Sequence, residues 1–186
     1  MTQKLWTPVR ETKALARPPV RAGAGVIAGY ASLFGRADLG GDVVMPGAFA
    51  GSLRRRGARG IRMLFQHDPA EPIGAWEEVV EDRRGLHVRG RLNLAVARAR
   101  EVWALLRDGG VDGLSIGFKA ERARRDPLTG IRRLDRVDLW EISVVTFPML
   151  PGARAALVKG WRPAPALRAG VGSRCTPGEG RSGAPA

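Results

Sequence analysis

Apolar residues first gather at Val26-Ile-Ala-Gly-Tyr-Ala-Ser-Leu-Phe34, a β-rich run after a basic, Pro/Gly-punctuated start. Gly35 to Gly41 reads as a loop flanked by Asp38 and Asp42. Val43-Val-Met-Pro46 then leads into a short helix through Ser52 and Leu53, with Pro46 suited to its first position, where the missing N–H costs nothing. Ile61 to Phe65 predicts a strand with His67 at its end. Pro72–Val80 and Gly85–Leu92 predict a hairpin joined by the polar Glu81–Gly85 turn. Val96, Ala99, Val102, Trp103 and Leu106 recur at helical spacing and place a helix over 95–107, closed by Asp108-Gly109-Gly110 with residues fit for a left-handed cap. Val111–Ala120 and Ile131–Phe147 are extended runs separated by the Asp126–Gly130 turn. Alternation in the second sends Trp140, Ile142 and Val144 to one face and Glu141 and Ser143 to the other.

The ends are different in kind. Residues 1–24 carry Pro18-Pro19 and several cations, and 161–186 are rich in Ala, Pro, Gly and Arg, so both are expected to be flexible around a folded region of 25–160. A chain of 186 residues allows one domain with a substantial core. No apolar run reaches membrane-spanning length, and the N-terminus lacks the apolar stretch of a secretory signal. One cysteine, Cys175, excludes an internal disulfide, and with only two histidines no zinc site of the usual type is expected. Neither a metal nor any other cofactor is implied. The net charge of +13 is almost all arginine, clustered at 54–56, 83–84, 122–125 and 132–133. It fits a solvated surface, non-specific contact with nucleic acid, or attraction to an acidic partner.

Candidate chemistry centres on Gly113-Leu-Ser115-Ile-Gly117, a serine presented between glycines. The Gly-x-Ser-x-Gly elbow of α/β-hydrolases needs a histidine after the serine. Both histidines, His67 and His87, precede Ser115, so that reading fails. A different set remains: Ser115 as nucleophile, His67 as base and Glu141 as the acid that orients it. Each has a plain structural alternative. Ser115 fits close packing, His67 fits a turn capped by Asp68, and Glu141 fits a core carboxylate paired with Arg132 or Arg133. His87, between Leu86 and Val88 in a strand, fits a structural role and is the one substitute base.

The motif series Gly29-Tyr-Ala-Ser-Leu-Phe-Gly35, Gly41–Phe49, Leu64-Phe-Gln-His67-Asp68, Pro72-Ile-Gly74, Gly113–Phe118 and Leu139–Thr146 resembles the prohead (capsid maturation) proteases of tailed bacteriophages and gene transfer agents. The resemblance spans roughly 26–158. It implies an α+β fold related to the herpesvirus assemblins, a mainly antiparallel, barrel-like sheet flanked by helices. It implies a serine endopeptidase using Ser115, His67 and Glu141, where assemblins have a histidine as third member. Assemblins place an arginine soon after that member to support the oxyanion; here Arg154 is the first, and a backbone N–H is the alternative. The implied setting is the host cytoplasm inside the assembling procapsid. The implied partners are the major capsid protein with its scaffold segment, the enzyme itself as substrate, and in some settings a second copy. The competing readings are a non-catalytic basic assembly module that binds nucleic acid or the capsid interior, and an inactive assembly chaperone.

Overall fold

The computed structural model describes residues 24–158. The expectations for the basic lead-in, apart from Ala24, and for the tail with Cys175 lie outside the described residues. Within them eight strands run β1 Val26–Leu33, β2 Asp42–Val44, β3 Arg62–Phe65, β4 Asp68–Glu81, β5 Gly85–Leu92, β6 Gly113–Arg125, β7 Arg132–Val145 and β8 Ala155–Leu157. Helix α1 spans Ala50–Arg56 and α2 spans Ala97–Asp108, with a 3-10 turn at Ala58–Gly60.

One mixed sheet contains all eight strands in the order β2-β7-β3-β4-β5-β1-β8, with β6 on the other edge of β7. Pairing is antiparallel except that β2 and β3 both run parallel to β7, along successive stretches of the same edge. The sheet curls until its ends meet. Gly113 on β6 bridges Arg154, Leu114 N–H donates to Ala153 C=O (3.0 Å), and Ala155 N–H donates to Asp112 C=O (2.8 Å). Inside the curl lies the core, with Ile27, Phe49, Met63, Trp76, Leu114 and Ile142 among its fully buried side chains. The expected α+β, barrel-like architecture is present, with parallel pairs where β2 and β3 meet β7.

Several predicted elements shift for identifiable reasons. Helix α1 begins at Ala50, because Pro46 sits in a preceding turn closed by Ala48 N–H to Met45 C=O (3.1 Å). Helix α2 ends as its sequence requires, on Gly109 in the left-handed region with its N–H on Leu105 C=O. Strand β4 starts four residues earlier than the apolar pattern suggests, directly after His67. The short β2 and β8 carry no periodicity of their own by which to predict them; pairing with β7 and β1 makes them strands.

The alternation along β7 is broken. Leu139 pairs with Phe118 and Glu141 with Gly117, so Trp140 is an extra residue, a β-bulge. Val137 and Leu139 are buried in the core before the bulge, and Ile142 and Val144 are buried beyond it. Trp140 therefore does not share their buried face: it is half exposed, and its indole N–H donates to Asp138 (2.7 Å). Buried Ser52 on α1 accepts the Leu139 N–H (2.9 Å), satisfying a backbone donor beside the bulge and docking the helix there.

Candidate active site

Strands β3 and β4 are joined by only two residues, Gln66 and His67, and both have positive φ (55° and 61°). That is the backbone of a type I′ hairpin turn, whose usual occupants are Asn and Gly. Two non-glycine residues held left-handed cost about 1–2 kcal/mol each. Tertiary hydrogen bonds of about 1 kcal/mol each offset this. Gln66 N–H donates to Val144 C=O (3.0 Å), the Gln66 amide donates to Thr146 Oγ1 (2.7 Å), and His67 N–H donates to Ser143 Oγ (3.1 Å). The turn is therefore fastened to the end of β7, and its imidazole is carried over that strand.

There it meets Glu141. His67 Nδ1 lies 2.6 Å from Glu141 Oε1, and Ser143 Oγ donates to Glu141 Oε2 (2.6 Å). The carboxylate side chain is mostly buried, whereas that of His67 is 42 % exposed. The hydrogen bond to Glu141 raises the His67 pKa above the ordinary histidine value, against the smaller opposing effect of burial. With Nδ1 engaged, Nε2 is the nitrogen left to exchange a proton.

Ser115 stands directly opposite Ser143 in the β6–β7 ladder, so its side chain is on the same sheet face as Glu141 and Ser143. It is nearly buried, and its hydroxyl makes no hydrogen bond to His67 in this structure. A cleft of about 190 Å³ opens beside it, lined among others by Ser32, Arg36, Val44, Ile116 and Met149. The flanking glycines have separate reasons. A Cβ on Gly117 would lie 2.0 Å from Glu141 Oε1, and one on Gly113 would lie 2.5 Å from Val145 C=O. They make room for the carboxylate and for the chain after β7, not for a hydrolase elbow.

The partners that the plain alternatives name for two of the residues are not the ones observed. Glu141 is partnered by His67 and Ser143, while Arg132 pairs with Asp42. Asp68 does not cap His67; its carboxylate accepts the Ala70 N–H (2.8 Å). His87 sits away on β5, edge-on to Tyr30 at 5.3 Å between ring centres. Sequence reasoning places Ser143 beside Glu141 without giving it a part, passes over Gln66, and reads Gly117 only as a neighbour of Ser115 and not as room for Glu141. The Glu-x-Ser spacing on one strand face is the available signal for Ser143.

The sequence pattern of the caudovirus prohead serine proteases matches residues 12–161. The chain belongs to that family. The prohead protease of Enterobacteria phage HK97 is 36 % identical over 137 residues, covering 73 % of this chain and 60 % of that protein. The prohead protease of Escherichia phage T5 is 29 % identical over 123 residues, covering 66 % and 57 %. The chain thus spans about three fifths of the length of these prohead proteases. A capsid polyprotein of Pseudomonas phage PAJU2 is 32 % identical over 105 residues, 53 % of this chain and 16 % of the polyprotein. Among solved structures, the capsid assembly protease of bacteriophage T4 superimposes with a TM-score of 0.54 at 13 % identity, covering 67 % of this chain and 84 % of that one. This prohead protease fold is thus shared well beyond recognisable sequence similarity.

Proposed function

We propose that the chain is a serine endopeptidase that cuts scaffold or capsid-propeptide segments, and itself, inside the procapsid during phage-type head maturation. The observation that carries this reading is the His67–Glu141 contact at 2.6 Å on the sheet face that Ser115 shares. Ser115 Oγ attacks the scissile carbonyl carbon as its proton passes to His67 Nε2. The same Nε2–H then protonates the leaving amine; water, deprotonated in turn by Nε2, attacks the acyl carbon, and that proton returns to Ser115 Oγ as the acid departs. Glu141 Oε1 accepts the Nδ1–H throughout, fixing the tautomer and stabilising the imidazolium. Closing the remaining gap between Ser115 and His67 belongs to substrate binding, since such hydrogen bonds tighten in the Michaelis complex.

The oxyanion donor in this scheme is a backbone N–H. The Arg154 guanidinium is engaged by Pro151 C=O and Asp112. Leu114 N–H points away from β7, toward Ala153. In a regular ladder Ile116 N–H points the same way, into the cleft beside Ser115. The capsid-protein class of substrate is supported by the family and by the similarity to a segment of a capsid polyprotein.

Co-expression with the adjacent capsid protein, read by intact mass, tests the proposal. The native chain trims the capsid protein and itself, whereas Ser115→Ala leaves both full-length and remains folded. Equal behaviour of the two folded chains would transfer the function to a non-catalytic basic assembly module.

A further inference from the structure

We infer that Ser143 is a positioning residue for the His67–Glu141 pair, the hydroxyl that locks the histidine turn and the carboxylate into one unit. The inference rests on the proposed function for its purpose, but its geometry stands apart from activity. Ser143 is fully buried, so its hydroxyl has no water to fall back on. It spends its lone pair on the His67 main-chain N–H (3.1 Å) and its proton on Glu141 Oε2 (2.6 Å). Glu141 Oε1 then meets His67 Nδ1 at 2.6 Å. The three contacts close a ring, from His67 backbone through Ser143 and Glu141 to the His67 imidazole.

Two degrees of freedom are removed by that ring. The backbone contact holds His67 in the left-handed region, which an isolated turn of Gln and His disfavours. The donated proton occupies Oε2 and turns Oε1 toward the imidazole. Gly117 completes the restraint from β6, since the carboxylate fills the volume where any Cβ would stand. Ser143 itself is no nucleophile here: it is buried, and its proton is already committed to the carboxylate.

The test uses the full chain carrying Ser115→Ala, which removes self-cleavage. The sequence holds only two histidines, so imidazole NMR titration follows His67 without crowding. Adding Ser143→Ala is expected to lower the His67 midpoint toward the ordinary histidine value, and Ser143→Thr, which restores a hydroxyl, is expected to bring it back. Ser143→Cys keeps the volume with a weaker donor and gives the same comparison should alanine unfold the chain. In the active chain, Ser143→Ala is expected to lower kcat about tenfold or more with KM unchanged, and to move the acid limb of the pH profile with the titration. A folded variant whose His67 titrates as in the parent overturns the inference. If Ser115→Ala leaves cleavage intact, the endopeptidase reading falls, while the titration still decides the role of Ser143.

Discussion

At the scale of single residues, the proposed mechanism makes His67 and Glu141 set the pH response. A base must be neutral to take the Ser115 proton, so kcat/KM is expected to rise with pH through the His67 midpoint. Glu141 places that midpoint above the ordinary histidine value. Glu141→Gln is therefore expected to move the limb to lower pH and to cost roughly 10⁴ in rate, as loss of the orienting acid does in serine triads. The stability effect has a definite sign. Because the folded-state pKa of His67 is raised, the charged pair contributes fully below the unfolded value of about 6.5 and is lost as pH passes through the folded midpoint. Urea unfolding in the Ser115→Ala background should show Glu141→Gln more damaging at pH 6 than at pH 9. An equal deficit at both would mean that His67 does not titrate against this carboxylate.

At the scale of elements, the sequence located the strands that carry the three candidate residues but not the devices that aim them. The β-rich runs, the α2 periodicity and its Gly109 cap are local properties and were readable. The bulge at Trp140 was not, because strict alternation is the assumption by which a strand is recognised; the register with β6 breaks it. The Gln66-His67 turn was equally hidden, since neither residue signals a left-handed backbone and the bonds that impose it come from β7. This turn makes a stability prediction. Gln66→Gly relieves about 1–2 kcal/mol of backbone strain and loses the Thr146 contacts, so unfolding free energy should change by less than about 1 kcal/mol. Gln66→Val loses the same contacts and adds a β-branched residue at φ 55°, for an expected loss of more than about 2 kcal/mol. If the two variants unfold alike, the turn is not held against its local preference.

At the scale of the whole molecule, the site depends on the sheet closing on itself. Ser115 lies two residues from Gly113, where β6 bridges Arg154, and the same segment is held from its other side by β1. Gly29 on β1 is where that approach is tightest: a Cβ there would stand 2.0 Å from Arg154 C=O and 2.9 Å from Ala155 Cα. Both neighbours are backbone, so neither yields by a rotamer change, and the 154–155 segment must move. Overpacking of this kind costs about 1–3 kcal/mol, which for a chain of this size lowers Tm by roughly 2–12 °C. Gly29→Ala is expected to show that loss by calorimetry in the Ser115→Ala background. In the active chain it should also lower cleavage, because Gly113 and the cleft beside Ser115 shift with the displaced segment. Gly130→Ala, at a turn glycine with φ 70° and no atom near its Cβ position, supplies the control. Its strain is local, about 1 kcal/mol, and should leave cleavage unchanged. Closure governs the site if Gly29→Ala loses activity beyond its loss of folded fraction while Gly130→Ala does not. Equal activity per folded molecule in both variants would make the seam a matter of stability alone.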